Sequence, residues 1–154
     1  MLERSYPVPV AAVFAAWADP AIKARWFTGA AGDGQVPYSS DFRVGGRETT
    51  GSPTGIRPAV SYEAVYRDII VNERIVATYE MALDGQRISV SVATAEFVVI
   101  REGTLLQYTE QGVYLDDLDR PEWRKHGVTG QLDRLGSELL ADRPVTEPLS
   151  LDDG

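Results

Sequence analysis

The chain has 154 residues, 44% of them apolar and 25% charged, which suits one globular domain with a sizeable core. Its formal net charge of −8 argues against nucleic acid and against an anionic membrane surface, because both would repel it. It has no cysteine, which excludes disulfides, a thiolate nucleophile and a cysteine-held metal.

Leu2 to Tyr6 reads as a first strand, ended by Pro7 and Pro9. Val10, Val13, Phe14 and Trp17 recur at helical spacing and predict a short helix to about Ala18. Asp19-Pro20 restarts the chain, with Asp as N-cap and Pro in the first helical position. The second helix carries Ile22 and Trp26 and ends near Phe27. Large aromatics such as Trp17, Trp26 and Phe27 suit the core. The stretch from Thr28 to Ser40 has little periodicity and reads as a loop. A short strand is expected at Asp41-Phe42-Arg43, broken by Gly45-Gly46 and resumed at Glu48 to Thr50.

Strands then follow one another. Val60, Tyr62, Ala64 and Tyr66 alternate with more polar neighbours, and Val71-Asn72-Glu73 turns the chain. Ile75, Ala77, Tyr79 and Met81 share one face of the next strand. Asp84-Gly85 is the clearest hairpin signal, since a tight primed turn needs residues that tolerate positive φ. Ile88, Val90 and Val92 alternate with serines, after which Phe97 and Val99 continue on the opposite parity. That flip predicts a bulge near Ala93 to Ala95, or a strand buried on both faces. Glu102-Gly103 makes another hairpin, and Leu106, Tyr108, Gly112 and Tyr114 share a face of the last strand. A long helix closes the chain from Asp119 to Asp142. Asp119 and Glu122 stand in capping-box spacing, and Val128, Leu132, Leu135 and Leu139 form an apolar stripe. Arg143 and Pro144 read as its stop.

These pieces predict an α+β protein: a bent antiparallel sheet of six to seven strands, closed by a C-terminal helix, with two short helices after the first strand. The domain spans residues 1–142, and residues 143–154 form an acidic tail. No signal-peptide pattern opens the chain and no apolar run is long enough to span a membrane, so the expected location is cytoplasmic.

Arg4-Ser5-Tyr6-Pro7, Val13-Phe14-Ala15-Ala16-Trp17, Asp19-Pro20 and Arg25-Trp26-Phe27 resemble the opening of stand-alone homologues of the heat-shock-protein-ninety ATPase activator. Those proteins belong to the START, or birch-pollen-allergen-like, superfamily. Asp41 to Arg47 resembles that family's Gly-Gly strand break. Glu63 to Ile69 followed by Glu73 to Val76 is similar to its central strands, and Gly127 with Leu132 to Leu135 to its final helix. The resemblance runs to about residue 141. It implies a helix-grip fold, a curved antiparallel sheet around a long C-terminal helix with a cavity between them. Superfamily members bind lipids, hormones or polyketides, some are cyclases, and some assist a chaperone ATPase; a shared fold does not choose among these. Where the family often has a Trp after the helix glycine, this chain has Val128, a smaller side chain that would enlarge the cavity or change its ligand.

The expected cavity is lined by Trp26, Tyr66, Tyr79, Tyr108, Glu110, Val128 and Leu132. The tyrosines offer apolar rings and hydroxyls that seek partners when buried, the usual make-up of a ligand pocket. Glu110 shares a strand face with Tyr108 and would be an acid, a base or a ligand anchor there. The expectation is a non-enzymatic protein that takes a small hydrophobic molecule, in a cavity of at least about 300 Å³. Two alternatives stand beside it: a chaperone-interaction domain, implied by the resemblance alone, and a cyclase-like or hydrolase-like enzyme using Glu110 and a tyrosine. No catalytic constellation, cofactor or metal set is read. His126 stands alone and nearly opposite the helix stripe. Asp116, Asp117 and Asp119 lack the rest of a calcium loop.

Overall fold

The computed structural model describes residues 1–28 and 36–141. In chain order the elements are β1 (Leu2–Tyr6), α1 (Val10–Ala18), α2 (Pro20–Phe27), β2 (Tyr38–Ser40), β3 (Arg47–Gly51), β4 (Val60–Ile70), β5 (Arg74–Leu83), β6 (Gln86–Ile100), β7 (Gly103–Tyr114) and α3 (Pro121–Ala141). The strands form one antiparallel sheet in the order β1-β7-β6-β5-β4-β3-β2. This is the helix-grip arrangement, with α3 facing one side of the sheet. Local chemistry places most of the boundaries. The Asp19 side chain accepts from the backbone N–H groups of Ala21 and Ile22 at 2.9 and 3.4 Å, with Pro20 in the first turn of α2. Asn72, Asp84 and Gly85 take positive φ in the two hairpin turns that flank β5.

The core fills one end of the space between sheet and helices. Val13, Phe14 and Trp17 of α1 meet Phe97 and Leu106 of the sheet and Leu132, Leu135 and Leu139 of α3. Phe14 and Trp17 both stand edge-on to Phe97, at 5.4 and 6.0 Å between ring centroids. Tyr6 on β1 donates its hydroxyl to the Leu132 carbonyl at 2.9 Å and so ties the sheet edge to α3.

Four expectations need correction. Asp41-Phe42-Arg43 is not a strand; it is a bend between β2 and β3. Gly46 causes this, because a side chain there would lie 2.0 Å from the Asp41 carbonyl oxygen, a backbone approach only glycine permits. The expected loop from Thr28 to Ser40 instead ends in β2, whose Tyr38 and Ser40 pair with Thr50 and Glu48; residues 29–35 lie outside the described residues. The bulge of β6 is not at Ala93 to Ala95. Pairing with β5 runs unbroken from Arg74–Glu96 to Met81–Ser89 and slips at Ile88. Ile88 and Ser89 therefore both turn inward, and from there Ser91 and Ala95 face the helix while Val90 and Val92 face out. Finally, α3 starts at Pro121, so Asp119 is not its N-cap. Proline takes the first helical position, where no N–H is needed, and the one backbone N–H that Asp119 accepts among the described residues is that of the neighbouring Arg120, at 2.8 Å. Arg143 and Pro144, read as the stop of α3, lie outside the described residues.

Candidate functional site

Between the sheet and the N-terminal half of α3 lies a cavity of about 700 Å³. Small residues occupy the middle of the sheet, and Ala77, Ala93 and Ala95 among them border a smaller void beside this cavity. Ser89, Ser91, Ala93 and Ala95 follow one another along the inner face of β6, with Ala64 and Ala77 on the strands beyond and Gly112 beside Ser91. These leave the middle of the sheet shallow. The large side chains stand around it: Tyr62, Tyr79 and Met81 from the sheet, Tyr108 from β7, Phe27 from the end of α2, and Val128 from α3.

Two polar clusters stand behind these walls and share Tyr62, Tyr79, Tyr108 and Arg124 with them. In the first, Glu110 accepts the hydroxyls of Tyr79 and Tyr108, the latter at 2.7 Å. Arg124 from α3 donates to the Tyr79 hydroxyl oxygen at 2.5 Å and to Ser89 at 3.1 Å, and it pairs with Asp119. Burial raises the pKa of Tyr79 and Tyr108, and the Glu110 charge raises both further, so both remain proton donors. Burial acts against the Arg124 charge, but the Tyr79 oxygen, Asp119 and Glu110 outweigh it and raise its pKa. This cluster ties the start of α3 to the sheet.

The second cluster lies deeper. Glu48, 1% exposed, is paired at 2.5 Å with Lys23, 4% exposed. Its carboxylate also accepts the hydroxyls of Tyr38, Tyr62 and Tyr66, at 2.6, 3.1 and 3.0 Å. Burial alone would raise the Glu48 pKa, but the Lys23 charge and these hydrogen bonds outweigh it and hold the group below its ordinary value. The Lys23 ammonium rests near the rings of Phe27, Trp17 and Tyr66, 4.5 to 5.8 Å from their centroids. A void of about 40 Å³ adjoins this cluster.

The residues singled out in the sequence fall as follows. Tyr79, Tyr108 and Val128 wall the large cavity. Trp26, Tyr66 and Leu132 do not; they wall the small void, with Tyr108 and Val128 shared. Trp26 donates its indole N–H to the Ala16 carbonyl at 3.0 Å and is a core residue first. Glu110 borders neither space and acts through the two tyrosines it holds. His126 is exposed. Asp116 and Asp117 are turn residues of positive φ, and among the described residues no group of acidic or histidine side chains is placed to hold a metal ion. Lys23, Glu48, Tyr62 and Arg124 were not singled out. Arg124 had a signal, since it stands one turn before Val128 on the same stripe as Leu132. Lys23 stands three residues before Trp26, on its face of α2. Glu48 had none, because β3 carries no apolar residue to reveal which face is inward.

With helix, grip and cavity placed, the comparisons with known proteins become informative. Residues 7–139 match the family model of Activator of Hsp90 ATPase homolog 1-like proteins. The chain belongs to that family. Among solved structures, an uncharacterised protein of Rhizobium leguminosarum is 37% identical, covering 92% of this chain and 93% of its own, with a TM-score of 0.86. A protein of Rhizobium loti is 41% identical over 89% of this chain and 93% of that one, with a TM-score of 0.81. An AHSA1-like protein from Aeromonas hydrophila, at 20% identity and a TM-score of 0.64, covers 91% of this chain and 90% of its own and shares the fold. No protein of curated function matches the chain. No described helix is long and apolar enough to cross a membrane.

Proposed function

We propose that this member of the Activator of Hsp90 ATPase homolog 1-like family binds a small, largely apolar molecule in the cavity between the sheet and α3, as a carrier or sensor rather than an enzyme. The observation that carries the reading is the cavity itself. Its volume of about 700 Å³ lies within the roughly 300–1,000 Å³ of small-molecule sites. Its walls are predominantly aromatic and aliphatic, with fewer polar groups among them. The hydroxyls of Tyr79 and Tyr108 are already committed to Glu110, and Arg124 to Asp119, Ser89 and Tyr79. Side chains so engaged hold the wall in shape.

Native mass spectrometry of protein purified without denaturation tests this directly. The expected result is a bound mass that is lost on organic extraction and absent from Val128→Trp. The larger ring has room in the cavity and would occupy the space the guest needs. Displacing even two methylene groups weakens binding by about tenfold. A Val128→Trp protein that folds and retains the ligand at unchanged occupancy would remove the cavity as the site.

A further inference from the structure

We infer that the small void behind the cavity is a second compartment of the same ligand site, one that accepts a neutral carbonyl oxygen. The inference rests on the binding reading above. The void measures about 40 Å³, more than the roughly 10–15 Å³ needed to hold a single water-sized group. Phe27, Tyr62, Tyr108, Val128 and Gln131 wall both spaces, so a molecule in the large cavity lies against the small one.

A count of donors and acceptors decides what the compartment takes. Glu48 is saturated. Its two oxygens accept from Lys23 and from Tyr38, Tyr62 and Tyr66, and a carboxylate offers about four such positions. The Tyr66 oxygen is in turn bonded to Ser40 at 3.0 Å. The surplus is all on the donor side. Lys23 has three N–H bonds, and among the described residues Glu48 is its one oxygen partner; otherwise it faces rings. Trp17, 7% exposed, also walls the void, and its indole N–H has no acceptor among the described residues. Ring faces are weaker partners for an ammonium hydrogen than an oxygen is. Two buried side chains around one small void therefore carry N–H bonds with no oxygen acceptor among the described residues, the Trp17 indole N–H and those of Lys23 not directed at Glu48, while none of the carboxylate's positions lacks a donor.

That asymmetry sorts the chemistry of the guest. A ketone, aldehyde or ester carbonyl supplies lone pairs and no charge. A carboxylate would set a second anion beside buried Glu48, and an amine would add donors and a cation beside Lys23; both arrangements are costly away from water. The guest is thus an apolar body that ends, or is interrupted, in a carbonyl group.

Four probes of one chain length test this on the full-length protein by calorimetric titration: methyl nonyl ketone, undecane, undecanoate and undecylamine. The ketone should bind about tenfold tighter than the alkane, the worth of one charge-assisted hydrogen bond. It should also bind more tightly than the acid and the amine. The Trp17 indole N–H proton resonance, assigned with Trp17→Phe, should move downfield with the ketone and not with undecane, and Trp17→Phe should narrow the ratio of ketone to alkane affinity. Equal affinities for ketone and alkane, or a Trp17 resonance that the ketone leaves in place, would overturn the inference while leaving the cavity as an apolar site. If none of the four binds, the cavity reading falls and takes this inference with it.

Discussion

Among the described residues, Lys23 and Glu48 are the two charges most completely removed from water, and their burial makes the pair sensitive to pH. Glu48 is ionised in the fold because Lys23 and three tyrosine hydroxyls meet it there. Its folded pKa is lowered, so the stability it contributes is fully present above its unfolded value of about 4.3 and is lost as pH falls toward the folded value. Lys23→Met removes the cation and leaves the carboxylate buried, which costs about 3–5 kcal/mol near neutral pH. In that variant burial without a cation raises the Glu48 pKa, so mild acid neutralises the group and relieves the penalty. Urea denaturation should therefore show a wide gap between wild type and Lys23→Met at pH about 7 that narrows by pH about 4. A gap independent of pH would mean that Glu48 does not carry the cost. The Glu48 half of the pair is not legible in the sequence, because the alternation that identifies an inward residue needs apolar neighbours and Glu48 has Arg47 and Thr49.

At the scale of elements, the segments with strong periodicity or turn chemistry sit where the residues predicted. The Asp19-Pro20 restart, the Asp84-Gly85 hairpin and the inward faces of β4 and β5 are all local signals. The face of β6 was misread because one unpaired residue, Ile88, exchanges the two sides of the strand. The consequence is that the inner face holds serine and alanine in place of Val90 and Val92, and Ile88 is turned into the wall of the cavity. Where a backbone crowds another, glycine gives a sharper test. Gly103 opens β7 at φ +145°, and a side chain there would lie 2.2 Å from the Tyr6 carbonyl oxygen and 2.8 Å from the Val8 nitrogen. Both conformation and space exclude it, and the neighbouring Thr104 hydroxyl donates to the Val8 carbonyl at 2.8 Å. Gly103→Ala should destabilise the protein by at least about 1–3 kcal/mol, the cost of a residue in so sparse a region. A melting temperature within a degree or so of wild type would show that the β1–β7 junction yields more easily than its geometry suggests.

Across the whole molecule, α3 is held unequally along its length. Its C-terminal half is packed on Tyr6 and the core. Leu132, Leu135 and Leu139 are buried, Gln131 and Arg134 donate to the last carbonyls of α2 at 2.9 and 3.0 Å, and Arg25 pairs with Glu138 at 2.5 Å. Its N-terminal half crosses the cavity. There Val128, though buried, borders the cavity, and Arg124 reaches the sheet by bonding Tyr79 and Ser89. A helix with packing under one half and a void under the other should open locally from the unsupported end, because few apolar contacts hold it closed. Amide hydrogen exchange should then be faster at residues 123–129 than at residues 132–139, by about tenfold or more if local opening of the first two turns needs 1.4 kcal/mol less than global unfolding. A guest that fills the cavity supplies the missing support, so saturation with methyl nonyl ketone should slow exchange in 123–129 and leave 132–139 nearly unchanged. Arg124→Met should speed exchange in the same half without altering the other. Equal protection along the helix in the free protein would show that Arg124 and its partners lock the bridge by themselves. The cavity would then be a rigid chamber that a guest enters without altering how α3 opens.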